Sequence, residues 1–366
     1  MPTFEIIWLV YLFIGVSILN LIYFISFSVL IKKSKNQKPQ GLHPVSVIVC
    51  AKNEAQNLKR LIPELVKQQY PKFEIILVND ASSDETLDVM EAFAKKHSNI
   101  QISDVKANEA FWGSKKYALT LGIKRAKYKH LVFTDADCVP ASNNWLYHIS
   151  KHFEKKTIVL GYGAYEKKKP LPLNTLIRFD TLLAAMQYLS FAKLGIPYAG
   201  VGRNMAYTAK VFYDNSGFMS HIKLRSGDDD LFINQSAHRK NTVVEYHPDS
   251  FTYSVPKSSW KAWFKQKKRH LSTAVHYRWQ HQLLLGVFQW SQLFFWLCFL
   301  AVLMVPETNS FAFWGAGRIL LCWMIFFGIS YRFKEPNLGY FFPLLEIILM
   351  VLQLRFLPDM LRKKNT

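Results

Sequence analysis

Ile6 to Ile31 is a run of 26 residues without one charged side chain, and that run limits the architecture before any motif is considered. As a helix it is long enough to cross a bilayer with some tilt. A cleaved signal peptide is the competing reading. No basic segment precedes the run, it exceeds the apolar core of a signal, and no small-x-small site closes it. It is read as an anchor covering residues 1–35. Lys32, Lys33, Lys35 and Lys38 follow directly, which puts the next domain on the cytoplasmic side of a bacterial-type inner or plasma membrane.

The 46 Lys and Arg against 26 Asp and Glu give a net charge of +20, which calls for an anionic partner. Beside long apolar segments a membrane surface fits better than nucleic acid, for which no binding signature is present. Half the residues are hydrophobic, too many for a disordered chain. Cys50, Cys138, Cys298 and Cys322 have no paired spacing, so neither a disulfide frame nor a zinc site is expected; buried small residues are.

From Pro44 strands and helices alternate. Val45 to Cys50, Phe73 to Val78, Ile100 to Ser103 and His130 to Thr134 read as strands, and helical periods begin after Glu54, Ser83 and Gly113. Such alternation predicts a mainly parallel sheet with right-handed crossovers. Its strands end in Glu54, Asp80 and the pair Asp135 and Asp137. In an open α/β sheet ligands sit past the carboxyl ends of the strands, and side chains at i and i+2 point the same way. Two carboxylates so placed suit Mg²⁺ or Mn²⁺ shared with substrate phosphates. A lone Asp-x-Asp is more often an acidic turn; three acidic strand ends in sequence are not explained that way.

Three strings then carry a resemblance. Val45-Ser-Val-Ile-Val-Cys-Ala-Lys-Asn-Glu54, Ile76-Leu-Val-Asn-Asp80-Ala-Ser-Ser-Asp84 and Thr134-Asp-Ala-Asp137 resemble the first signatures of family 2 glycosyltransferases, which are inverting enzymes of GT-A fold. The resemblance covers about Val45 to Gln280. It implies a Rossmann-like, mainly parallel α/β domain in which the Ala51 and Glu54 loop and Asp80 hold the nucleotide, with Asp80 on the base. Asp135 would sit near the ribose and Asp137 would ligate the metal. Lys115 or Lys116 would lie near the nucleotide, although Ser114 interrupts the family's Gly-Lys pair; a solvated helix face is the plain alternative.

Further signatures follow. Tyr198-Ala-Gly-Val-Gly-Arg-Asn204 resembles the family's acceptor-side strand and puts Arg203 and Asn204 on the acceptor or diphosphate side. Gly227-Asp228-Asp229-Asp230-Leu231 resembles the motif of the catalytic base. Three aspartates stand where the family has a pair, so Asp228 and Asp229 are both candidates, with Asp228 preferred. Gln266-Lys-Lys-Arg269-His270 resembles the Gln-x-x-Arg-Trp motif of membrane glycan synthases, with His270 in place of tryptophan. Arg269 would pair with the diphosphate, and Gln266 and His270 would face the acceptor or diphosphate side. A basic amphipathic helix is the bland alternative here.

Leu173 to Leu194, behind a basic kink at Lys167 to Lys169, is expected to be a helix against the membrane interface, with an ordinary core helix as the alternative. After a GT-A domain over 44–282, a membrane region over 283–366 should hold two spans, Leu283 to Val305 and Phe311 to Tyr331. Arg318 within the second must face protein, water or a lipid phosphate. Tyr340 to Leu354, carrying Pro343 and Glu346, is a span or an interfacial or re-entrant piece.

The expected protein is a metal-dependent transferase taking a nucleotide-diphosphate sugar, a UDP-sugar by resemblance, to a lipid or glycolipid acceptor. A processive polysaccharide synthase is the alternative. From other classes, a nucleotidyltransferase would show a glycine-rich basic loop after the first strand, which Ala51-Lys-Asn-Glu-Ala-Gln is not. A non-catalytic membrane scaffold or transporter component leaves the acidic strand ends unexplained.

Overall fold

The structure is a computed structural model and describes residues 4–33, 41–106, 115–169, 171–224 and 226–355. Lys35, Lys38, Gly113, Ser114 and the basic stretch at 361–366 lie outside the described residues. In chain order, helix α1 (Phe4–Phe27) precedes an alternation of β1 (Val45–Ala51), α2 (Ala55–Val66), β2 (Phe73–Asp80), α3 (Thr86–Lys96), β3 (Ile100–Val105), α4 (Lys115–Arg125) and β4 (His130–Asp135). Shorter elements follow: β5 (Cys138–Pro140), α5 (Trp145–Ser150), β6 (Ile158–Leu160) and β7 (Gly163–Tyr165), then the long α6 (Leu171–Lys193). After these come β8 (Met205–Thr208), α7 (Ala209–Asp214), α8 (Asp230–Ser236), β9 (Thr242–Val244), β10 (Thr252–Ser254) and α9 (Trp260–Ala274). The last helices are α10 (Trp279–Met304), α11 (Ala312–Arg332), α12 (Pro336–Tyr340) and α13 (Phe342–Leu354).

Two compact units result. One comprises Met1–Lys33, Arg178–Ser190 and Ala274–Thr366, the other Ser34–Ile177 and Phe191–Thr273. The division differs from the boundaries expected at 44 and 282 in two places: the middle of α6 and residues 274–282 belong to the helical unit.

The α/β unit holds a seven-stranded sheet in the order β3-β2-β1-β4-β8-β6-β9. Strands β3, β2, β1 and β4 run parallel, and β8 lies antiparallel to both its neighbours. Parallel strands are covered on both faces and read as unbroken apolar runs; Val47, Ile48 and Val49 are accordingly all buried. Helix α2 covers one face with Leu58, Leu61, Ile62 and Leu65, spaced i, i+3, i+4, i+7 and all buried. Burying each is worth about 2 kcal/mol, so a charge at Leu61 would unseat the helix. At the opposite end of the strands from the motifs, buried Glu74 accepts from Ser46 Oγ at 2.5 Å, Lys127 N at 2.7 Å and Gln101 Nε2 at 2.9 Å, and so serves the fold. A second sheet, β5-β10-β7, is made of three-residue strands with too little period to be read in the sequence.

Helix α6 corrects one expectation. An interfacial helix keeps one apolar face inside and one outside, but here Leu173, Ile177, Phe179, Leu182, Met186 and Leu189 are all buried, on every side of the helix. It is an interior helix. Arg178 within it pairs with Glu335, both nearly inaccessible.

Among the described residues three helices are long and apolar enough to cross a membrane: Phe4–Leu30, Trp279–Met304 and Pro306–Arg332. Phe342–Leu354 is apolar but shorter. Arg318 faces protein. Its Nε donates to Asn20 Oδ1 at 2.9 Å, its Nη2 to Asn20 and to Gln292 Oε1 at 2.8 Å, and its Nη1 to Glu346 Oε2 at 3.2 Å. The guanidinium also lies 4.1 Å from the Phe295 ring centroid. One arginine thus ties α1, α10, α11 and α13, and Glu346 is in the chain as its counter-ion. All four cysteines are free thiols.

Candidate active site at the strand ends

The register brings the motif strands to a common edge: Ala51 lies opposite Asn79, Cys50 opposite Asp135, and Asp80 opposite Val105. The loops that leave β1 and β2 both carry left-handed backbone, at Asn53 (φ 57°) and Ala81 (φ 49°). Asparagine tolerates this region; for alanine it stores about 1 kcal/mol or more. Cross-bracing holds the strain. Asn53 N donates to Ser82 Oγ at 3.0 Å, Ser83 N to Asn53 Oδ1 at 2.8 Å, and Glu54 N to Thr86 Oγ1 at 2.8 Å. Ala51 is buried beneath this edge, and Glu54 begins α2 at it.

Asp80 is only 3% exposed, yet its Oδ1 has no hydrogen-bond partner. A buried acceptor left unpaired costs about 1–3 kcal/mol, a cost that a ligand N–H reaching Oδ1 would remove. Desolvation raises its carboxyl above the usual carboxylate range, against Lys52 and Lys115.

Lys115, the first residue of α4, joins two motifs that lie more than ninety residues apart. Its Nζ is 3.0 Å from Asp135 Oδ1 and 2.9 Å from Asp228 Oδ2. Desolvation opposes its charge, but Asp135 and Asp228 outweigh it and carry the lysine well above its usual range. Burial alone would raise Asp228; Lys115 reverses that and holds it below the usual carboxylate range. Lys116 has a different task. Its buried Nζ donates to the carbonyls of His221, Leu224 and Ser226 at 2.6, 2.8 and 2.8 Å and fixes the segment leading to Gly227. That glycine has φ +98°, and a Cβ there would stand 2.4 Å from Leu231 Cδ1; only glycine delivers the turn that aims Asp228.

The three aspartates separate by their partners. Asp229 Oδ2 accepts from Gly202 N and Oδ1 from Asp230 N, both at 2.8 Å. Desolvation, then Asp228 and Asp230, push its carboxyl up to about 7. Asp230 accepts from Leu231 N at 2.8 Å and from the Thr273 hydroxyl. Asp228 is the one paired with Lys115 at the strand edge.

Asp137 follows β4. Desolvation and then Asp135 raise its carboxyl, against Arg203. Oxygen atoms of Asp135 and Asp137 and the Cys138 sulfur lie within 4.8 Å of one another. Two carboxylates this close, at a half-exposed mouth, fit a divalent cation. A second group of this kind, His148, His247 and Asp249, does not. Its imidazoles stack parallel, 7° apart at 4.3 Å, so their in-plane lone pairs do not converge, and Lys151 Nζ already sits 3.3 Å from His148 Nδ1.

Arg203 and Asn204 stand side by side and differ in use. The amide of Asn204 is fully committed: Nδ2 donates to the carbonyls of Tyr162 (2.8 Å) and Ser250 (2.7 Å), and Oδ1 accepts from Trp145 Nε1 at 3.1 Å. With the side chain wholly buried it belongs to the scaffold, not to a ligand surface. Gly161 and Gly163, which the sequence reading passed over, make room for this pair. A Cβ on Gly161 would fall 2.6 Å from Asn204 Cγ, and one on Gly163 would fall 2.4 Å from Arg203 Nε. On α9, Gln266 Nε2 donates to the Tyr165 hydroxyl at 3.0 Å. Arg269 and His270 are exposed, with His270 in the electrostatic reach of Lys267, Arg269, Arg203 and Asp228.

Comparison with known proteins matches this region. The sequence pattern of Glycosyl transferase family 2 matches residues 46–214. The poly-beta-1,6-N-acetyl-D-glucosamine synthase of Staphylococcus epidermidis is 33% identical over 110 residues, 30% of this chain and 25% of that protein. A probable glycosyltransferase of Bacillus subtilis, YdaM, is 26% identical over 239 residues, 62% of this chain and 54% of its own length. The chain thus spans a quarter to just over half the length of these curated relatives. Among solved structures, the mannosyltransferase PcManGT from Pyrobaculum calidifontis, in complex with GDP-Man and Mn²⁺, shares the fold. It superposes with a TM-score of 0.57 at 17% identity over 94% of this chain and 97% of that one. With the strand order and the strand-end carboxylates in place, residues 46–214 are a glycosyl transferase family 2 domain, built on the GT-A fold.

Proposed function

We propose that the protein is an inverting glycosyltransferase that moves a sugar from a nucleotide-diphosphate sugar, preferably a UDP-sugar, to a hydroxyl of a membrane-associated lipid or glycolipid. The observation that carries this reading is the strand-end array in which Lys115 bridges Asp135 and Asp228, together with the partnerless Oδ1 of Asp80. In this reading Asp80 takes a base N–H, with Ala51 and Glu54 forming the nucleotide loop and Asp135 the ribose side. Asp137, with Asp135, would hold Mg²⁺ or Mn²⁺, which supplies charge neutralisation to the departing diphosphate. Lys115, Arg203 and Arg269 offer positive charge to the phosphates. Asp228 accepts the proton of the acceptor hydroxyl as its oxygen attacks the anomeric carbon, and one displacement inverts that centre. Support for Asp228 over Asp229 comes from the two backbone N–H groups that occupy Asp229. The Lys115 contact keeps Asp228 ionised at neutral pH, the state a base requires. Three candidate spans favour an acceptor at a membrane.

Membranes bearing the protein, incubated with a panel of labelled nucleotide sugars with Mg²⁺ or Mn²⁺ and again with EDTA, test this. Metal-dependent label in the lipid extract, lost in Asp228→Asn, is the expected result. Absence of both transfer and donor hydrolysis for every sugar sinks the reading. A processive polymer synthase is the second reading, motivated by the Staphylococcus relative; label in a polymeric fraction would favour it.

A further inference from the structure

Sequence motifs single out Gln266 and Arg203, and the residue that joins them, Tyr165, belongs to no motif. Tyr165 ends β7 in register with Ser254 of β10, which is in register with Cys138 of β5. The three stand in a row across the small sheet, starting one residue after Asp137. Arg203 lies over the Tyr165 ring, 4.4 Å from its centroid, and its Nη1 reaches Ser254 Oγ at 3.4 Å. The same Ser254 Oγ lies 2.9 Å from Cys138 Sγ, which is 3.5 Å from Asp137 Oδ1, so the guanidinium stands beside the proposed metal and diphosphate position. The course of the side chain is prescribed by Gly163, whose missing Cβ leaves the space that Arg203 fills. The tyrosine ring is itself pinned, because its hydroxyl accepts from Gln266 Nε2 at 3.0 Å. Helix α9 gives Gln266 a fixed base: Trp263 is 2% exposed, and Thr273 is hydrogen-bonded to Asp230.

An arginine has many rotamers, and bidentate capture of a phosphate needs its planar fork preset. A ring face under the guanidinium, held by a hydrogen bond at its far substituent, removes most of that freedom. We propose that Tyr165 is the positioning residue that aims Arg203 at the donor diphosphate, and that Gln266 serves through Tyr165 and not by contact with substrate. This rests on the glycosyl-transfer reading above.

The test is calorimetric titration of the purified full-length protein with UDP, UMP, GDP and GMP in the presence of Mg²⁺. For the nucleotide the wild type prefers, Tyr165→Phe and Gln266→Leu are each expected to weaken diphosphate affinity about fivefold, the loss of one hydrogen bond. Monophosphate affinity should stay within twofold. The double variant should be no worse than either single one, since both break the same link. Gln266→Glu, which accepts from the tyrosine hydroxyl, should restore the affinity, and should fail to do so with Tyr165→Phe. Unchanged diphosphate affinity, additive losses, or equal weakening of mono- and diphosphate would overturn the inference while wild-type binding leaves the transferase reading standing. A wild type that binds no nucleotide would overturn both.

Discussion

Replacing Glu245 by glutamine should cost the α/β unit about 3 kcal/mol at neutral pH and remove one step of its acid unfolding. Glu245 is completely buried and accepts from Lys151 Nζ at 2.9 Å, His152 Nε2 at 2.8 Å and His247 N at 2.7 Å. Burial disfavours its charge, but the His152 hydrogen bond and the Lys151 charge prevail and hold the carboxyl down at about 2, against an ordinary 4.5. At about 1.4 kcal/mol per pH unit the difference is worth about 3 kcal/mol. Independent experience with buried pairs, where removal of one partner costs about 3–5 kcal/mol, agrees. The sign follows from proton uptake. With the folded value depressed, the unfolded chain binds the proton first, so the contribution is whole above about 4.5 and is lost as pH falls toward 2. His148, at the same cluster, is depressed to about 4 by burial, then by Lys151 and His247, with Glu245 and Asp249 acting the other way. Its contribution is lost earlier, between about 6.5 and 4. Urea unfolding of the detergent-solubilised protein between pH 7 and 3, followed by hydrogen exchange in peptides covering 145–160 and 240–252, reads both steps. Wild type should lose stability in two stages; Glu245→Gln should start about 3 kcal/mol lower and lack the second. Equal stability at pH 7, or an unchanged second stage, would refute the reasoning.

Other substitutions separate binding from folding. Asp80→Ala removes a buried carboxylate with one unanswered oxygen and should leave the melting temperature unchanged or raised while abolishing nucleotide binding measured by titration. The nearest atoms to a Cβ at Gly163 all belong to the Arg203 side chain, which would have to shift in Gly163→Ala, so the protein should fold but bind nucleoside diphosphate about tenfold more weakly, from the loss of a charge-assisted contact. In the helical unit, Glu346→Leu strands the buried Arg318 and should cut the yield of folded protein on size-exclusion chromatography. The double change Arg318→Met with Glu346→Leu should restore part of it, because the stranded charge is gone while buried Asn20 and Gln292 still lose their donor.

Much of the fold was legible because its signals are local. The parallel strands are apolar runs, α2 repeats its leucines on one face, and the strand ends carry Asp80, Asp135 and Asp137 in plain sight. What stayed hidden depends on distance along the chain or on burial. The Lys115 bridge joins residues 115 and 228, and nothing near Lys115 distinguishes it from Lys116, which points into a carbonyl cage. Helix α6 shows the apolar period of an interfacial helix, and period alone does not tell which of its faces a neighbouring element will cover. Arg318 and Glu346 could have been paired from sequence, being lone charges in two apolar segments.

Motif likeness alone also cannot tell a residue that acts from one that holds it in place, since a fold retains both. The hydrogen-bond ledger can. Asn204 has both amide hydrogens and its oxygen engaged, and Asp229 gives both oxygens to backbone N–H groups; each is already satisfied, and a ligand would have to break those bonds to use it. Asp80 is the opposite case, a buried acceptor with one oxygen unanswered. Asp228 is intermediate: the lysine that answers it is shared with Asp135, so an incoming diphosphate can take the place of Asp135 at that cation without unfolding anything. Ranked by how cheaply the present partner can be exchanged for substrate, Asp80 and Asp228 come first and Asn204 last. By this ranking Asn204→Asp should harm folding before it harms affinity, whereas Asp228→Asn should leave folding intact and remove transfer.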